Sequence, residues 1–147
     1  MISYGQLLLW SNLFATLTMC GVILFVQVVH YPMFDSWDRE RFREIERRHQ
    51  RLTTFVVAPP MLVELFASFA LLFVPIPGVP EYLPWAGIAL VGIWAAVTAF
   101  VSIPLHGSLA ARGYDAGVHR KLVRTNWLRV VVWWLHAGVC IGMLATS

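Results

Sequence analysis

All eleven lysines and arginines of this 147-residue chain fall in two short stretches. Arg39, Arg41, Arg43, Arg47, Arg48 and Arg51 lie in one, and Arg112, Arg120, Lys121, Arg124 and Arg129 in the other. Four long apolar segments run around and between them. Apolar runs of roughly 20 residues match the hydrocarbon thickness of a bilayer, and basic residues collect in the cytoplasmic loops that join them. The expected fold is therefore all-α: an integral membrane four-helix bundle with an amphipathic cytoplasmic helix between spans one and two. Both termini are expected outside and both basic loops inside, in a multi-pass protein of the cell membrane.

Composition agrees. Only 13% of the residues are charged and 59% are hydrophobic, against about 25% charged in soluble domains. The net charge of +3 and pI of 9.2 do not point to nucleic acid. The basic residues adjoin apolar spans, where they set orientation and attract anionic lipid. Residues 1–147 read as a single domain, since no linker or low-complexity tract divides them. The opening MISYGQLLLW lacks a charged n-region and a small-residue cleavage site, so it reads as a retained first span. Cys20 and Cys140 sit at different depths, which argues against a disulfide.

The spans are expected at about 6–30, 54–74, 84–106 and 126–144. The first stops at Tyr31-Pro32, because a residue before proline avoids the helical region. Pro59 and Pro60 are expected in the first turns of the second, where a missing amide is tolerated best. The stretch DSWDRERFREIERRHQRLTTF predicts the amphipathic helix, capped by Asp35 or Ser36, with Phe42, Ile45, His49 and Leu52 on one face. Gly113 and Asp115 predict a stop followed by a cap. The two halves share an order of features, a histidine near a proline and then a basic helix with a histidine, but too few identities to mark a repeat.

Each span carries one polar line. On span four His119, Leu122, Asn126, Arg129, Trp133 and His136 recur every three or four residues and so share a face. Span one offers Thr16, Cys20, Gln27 and His30; span two, Glu64 and Ser68; span three, Thr98, Ser102 and His106. Polar groups in lipid turn inward, which predicts one interior lined by all four. Glu64 lies ten positions beyond Thr54 and His136 nine beyond Trp127. At about 1.5 Å per residue both reach the same depth, so the two are expected to pair. Glu64 and His136, with Asn126 and Arg129, are the candidate catalytic residues. A structural hydrogen bond for Glu64 and snorkelling for Arg129 are the plain alternatives. Trp133 is a candidate pocket wall, and Trp134 is expected against lipid.

His30, His49, His106 and His119 gather at the basic end and are the candidate metal ligands. Imidazoles with a carboxylate suit iron, copper or zinc, yet no short ligand motif such as H-E-x-x-H is present. The cofactor is thus open between a transition metal, haem held by His30 and His106, and none. No P-loop, G-x-G-x-x-G, G-x-S-x-G or C-x-x-C motif points to nucleotide, hydrolase or thiol chemistry.

Three segments, FVQVVHYPMF, VSIPLHGSLA and RTNWLRVVVWW, resemble in order and spacing the anthrone-oxygenase-like family of small four-helix membrane proteins. Pro32, Pro104-Leu105, Asn126 and Arg129 match that family's pattern of a proline after span one, a "V-P-L-N" step and an "N-H-x-R" opening. His106 and Trp127 depart from it, standing where asparagine and histidine are more usual. The resemblance implies oxygenation of a polycyclic phenolic or anthrone substrate, often without a conventional cofactor. The expected function is a membrane-embedded oxidase or oxygenase for a hydrophobic aromatic or quinone-like substrate from the bilayer. Glu64 or a histidine would act as base and Asn126 and Arg129 would stabilise the oxyanion. A non-enzymatic metal- or haem-binding protein and an accessory subunit of a larger complex are the alternatives. Self-association stays open.

Overall fold

The computed structural model describes residues 3–147. Met1 and Ile2, at the start of the segment read as a retained span, lie outside the described residues. Helix α1 (Tyr4–Phe25) starts in a capping box: Ser3 Oγ accepts the Gln6 amide and Gln6 Oε1 accepts the Ser3 amide. It continues through a π-helical turn, Val26–His30, into a 3-10 turn, Pro32–Ser36. Helix α2 is Phe42–Ala70. Helix α3 (Tyr82–Val97) passes through a second π turn, Thr98–Ser102, into α4 (Ile103–Arg112), and α5 is Ala116–Thr146. Among the described residues all regular structure is helical, and four helices are long and apolar enough to cross a membrane.

Both π turns have the same cause. Pro32 and Pro104 lack the amide that would continue the i→i−4 ladder. Just before each, the ladder widens by one residue. The Tyr31 amide donates to the Val26 carbonyl at 2.8 Å, and the Ile103 amide to Thr98. The offset from Val26 to Thr98 is also that from Pro32 to Pro104 and from Glu64 to His136. The halves therefore share an architecture that residue identity does not reveal. Such π turns often mark functional sites, and here each feeds the segment that carries Tyr31 or His106.

Two expectations about α2 are corrected. Its first residue is Phe42, and neither Asp35 nor Ser36 caps it; Asp38 Oδ1 accepts the Arg41 amide instead. The amphipathic segment is the first part of the same rod as span two, so Pro59 and Pro60 stand mid-helix. In hydrocarbon every remaining amide must pair within the segment, so the rod does not break there. The inward face holds at Phe42, which is buried, and at His49, which lines the interior, but Leu52 is exposed and Glu46 is fully buried beside them. At the next junction Gly113 (φ +92°) stops α4, and Asp115 Oδ1 accepts the Val118 amide to start α5.

The spans alternate in direction. Ile76 packs on Gly5, and Gly78 (φ +86°) lies too close to the Thr146 carbonyl to carry a Cβ. Both termini and the turn between spans two and three thus share the end opposite the basic residues. Three apolar layers stack between the ends. Leu9, Leu71 and Met143 fill one, Met19, Trp94 and Trp133 the middle, and Phe34, Phe42 and Leu122 the basic end. Spans one and four bury 44% of their most apolar stretch inside the bundle; spans two and three bury 17%. The second pair therefore faces lipid most and closes least.

Candidate functional site

The deep polar layer is built by spans one, two and four. His136 Nδ1 donates to Glu64 Oε1 at 2.5 Å, Trp133 Nε1 to Glu64 Oε2 at 2.8 Å, and Thr16 Oγ1 to Oε1 at 3.3 Å. On the other side of the imidazole, Ser68 Oγ lies 3.5 Å from Nε2, and Ser68 is itself tied to Asn12. Every one of these side chains is buried. The sequence pairs Glu64 with His136 by depth, and the structure brings them together. Their network is closed: both carboxylate oxygens are occupied by donors, as the cost of an unpaired charge in lipid demands.

The second layer sits at the basic end, on a Glu–His pair absent from the sequence reading. Glu46 Oε1 lies 2.6 Å from His106 Nδ1. A carboxylate only accepts, so Nδ1 is the donor, and Nε2 accepts from the Tyr31 hydroxyl at 2.8 Å. Gln50 donates to Glu46 Oε1 and to the His106 carbonyl. Glu46 Oε2 is buried with no partner. His49 closes the group: one ligand atom each from Glu46, His49 and His106 lies within 4.8 Å of the others.

The other two candidate ligands stand apart from that trio. His30 Nε2 is 2.9 Å from His49 Nδ1, which Thr53 Oγ1 also reaches at 3.0 Å. His30 is therefore an outer partner of His49. His119 spends both nitrogens elsewhere: Nε2 donates to the Tyr31 carbonyl at 2.8 Å, and Nδ1 pairs with the Tyr114 hydroxyl at 3.1 Å. It stacks on Phe34 and fixes the turn that carries Tyr31. The His49 ring packs 4.5 Å from His30 and 5.6 Å from His106.

A cavity of about 390 Å³ opens beside the trio, within the roughly 300–1,000 Å³ range of small-molecule sites. His49, His106 and Tyr31 line its basic end, and Trp94 and Ile23 its depth. Leu62 on span two and Ile103 on span three are lining residues that also face lipid, so the mouth lies between those spans. Arg129 lines the cavity too and is 6% exposed. It does not snorkel. Its Nη1 donates to Asn126 and Ser102, and Asn126 donates to Gln27. The Tyr31 hydroxyl neighbours the guanidinium. Glu64, His136 and Asn126 do not line this cavity, so of the four candidate catalytic residues only Arg129 faces it. Trp133 donates to Glu64 and stacks on Trp94, 5.3 Å between centroids; the pocket wall is Trp94, while Trp134 is exposed as expected.

Glu46, Tyr31 and Trp94 were invisible as site residues. A signal for Glu46 exists: it stands four after Phe42 and three before His49, so it shares their face. No family model, curated protein or solved structure matches this chain.

Proposed function

We propose that this chain is a membrane-embedded, metal-dependent oxidase or oxygenase whose hydrophobic aromatic or quinone-like substrate enters from the bilayer between spans two and three. One observation carries the reading. Glu46, His49 and His106 form a two-histidine, one-carboxylate set at the end of a lipid-facing cavity. That donor set suits ferrous iron with open coordination positions, and the unpartnered Glu46 Oε2 is a ligand atom in want of a partner. The basic end is proposed to face the cytoplasm.

A bound metal would supply activation of dioxygen. The chain's own residues do the rest. Trp94 and the aliphatic wall hold the aromatic body and exclude water. With His106 holding the metal through one ring nitrogen, its remaining N–H would donate to the Tyr31 oxygen, 2.8 Å from Nε2, and the Tyr31 O–H would be left to hydrogen-bond the substrate oxygen. Arg129, positioned by Asn126 and Ser102, steadies the substrate oxyanion. For a carbon acid the balance is R₂CH₂ + O₂ → R₂C=O + H₂O. Two C–H bonds break, a C=O bond forms, and the second oxygen atom leaves in water.

The test is metal analysis of the purified protein, followed by oxygen uptake with an anthrone or a hydroquinone. Stoichiometric iron or copper that disappears in Glu46→Gln and His106→Ala is the expected result. A metal-free wild type that cannot be loaded overturns the metal reading. Loading without oxygen uptake leaves a metal-binding protein. Reporter fusions at Ser147 and next to Gly113 are expected on opposite sides of the membrane, with Ser147 outside.

A further inference from the structure

Two residues of the cavity wall carry donors that nothing satisfies. Arg129 Nε and Trp94 Nε1 are both buried without a hydrogen-bond partner, and both residues line the cavity. Arg129 is also an unbalanced charge. Among the described residues the ion pairs are Arg41–Glu44, His106–Glu46 and His136–Glu64; none includes Arg129. Its contacts are the neutral Asn126, Ser102 and Tyr31, with the Trp133 ring 5.2 Å from the guanidinium carbon. A buried cation without a counter-charge is costly, as is a buried N–H without an acceptor. The unpaired charge is relieved if the occupant brings negative oxygen to the guanidinium.

The rest of the wall says what that oxygen is attached to. Ile23, Val57, Met61 and Leu65 are apolar, and Leu62 and Ile103 lead the cavity out to lipid. A small inorganic anion would leave this surface empty, and a neutral hydrocarbon would leave Arg129 unpaired. We infer that the cavity selects an amphipathic organic acid, its oxyanion held by Arg129 and its apolar body lying toward the opening between spans two and three. The inference rests on the cavity as the substrate site and is independent of the metal. Two sources present this chemistry: a long-chain carboxylate of the bilayer and an aromatic acid.

The experiment uses full-length, metal-stripped protein in phosphatidylcholine nanodiscs, with affinities corrected for partition into empty discs. Dodecanoate and 2-naphthoate are titrated against their neutral counterparts, 1-dodecanol and 2-naphthalenemethanol. At least one acid is expected to bind tenfold or more tighter than its alcohol, and which acid does so identifies the source. Arg129→Gln is expected to remove the preference and Arg129→Lys to keep part of it. Equal affinity for acid and alcohol in the wild type, or no binding of any of the four, overturns the inference even if Arg129→Gln fails to fold. A protein that cannot be loaded with metal but prefers the acid refutes the metal reading alone.

Discussion

Helix α2 presents the same pair of groups twice. Glu64 meets His136 and Glu46 meets His106, at 2.5 and 2.6 Å. Positions 46 and 64 are five turns apart at 3.6 residues per turn, so both carboxylates leave the helix on one face, roughly 27 Å from each other. What differs is everything around them. Glu64 has both oxygens filled by donors from spans one and four and does not line the cavity. Glu46 has one oxygen free, a second histidine within reach, and a partner imidazole that lines a cavity. Residue type and spacing alone do not make a site. What sets the second pair apart is an unsatisfied carboxylate oxygen beside a second imidazole.

The comparison breaks most sharply on stability. Removing one partner of the deep pair strands a charge or a polar ring in lipid, so Glu64→Leu and His136→Leu are each expected to cost about 3–5 kcal/mol. Replacing both with apolar residues should restore much of that loss. Denaturant titration in mixed micelles reads both. A single variant within about 1 kcal/mol of wild type would show that the deep layer is not a clamp.

At the basic end the same kind of change should act on binding instead. Glu46→Gln keeps the bond from Gln50 within reach and creates no stranded charge, so its stability cost should stay near 1 kcal/mol. Its metal content, measured after loading with ferrous iron, should fall to background. A variant that unfolds while the metal persists would reverse the assignment of the two pairs.

Why one pair was legible and the other not is a matter of distance along the chain and of face. Glu64 and His136 each lie on an unmixed apolar span, where a polar residue stands out and depth can be counted from the span's end. Glu46 sits in an arginine-rich run, where a carboxylate reads as one more solvated charge. The apolar pattern was right at Phe42 and His49, but Ile45 and Leu52 drew it to one side of that line, while Glu46 lies on the other. The imagined break near Thr54 hid the rest. Only with α2 continuous do Glu46, His49, Thr53, Val57 and Glu64 form one line. The four-span architecture was legible because lipid permits so few alternatives. The cavity was not, because it arises where spans two and three fail to close.

A smaller effect separates inner from outer ligands. His30 touches the trio only through His49, the role of a residue that orients a ligand. Removing such a partner typically weakens a metal site by about 10–100-fold. His30→Ala should therefore reach full metal occupancy at saturation but release it to a chelator more readily. Complete loss of occupancy would place His30 among the direct ligands.

The smallest change tests the histidine that the sequence groups with the ligands and the structure does not. His119→Phe keeps the ring against Phe34 and removes two hydrogen bonds, to the Tyr31 carbonyl and the Tyr114 hydroxyl. The Tyr31 carbonyl still accepts the Phe34 amide at 3.1 Å, so it is not left bare. The expected cost is therefore that of ordinary hydrogen bonds, about 1 kcal/mol, read in the same denaturant titration. Metal content should be unchanged, because neither nitrogen faces Glu46, His49 or His106. Any effect on binding would have to pass through the backbone at Tyr31, and would appear as a slower reaction at full occupancy. Loss of metal in His119→Phe at unchanged stability would mean that a fourth imidazole reaches the ion, and the two-histidine, one-carboxylate set would have to be redrawn.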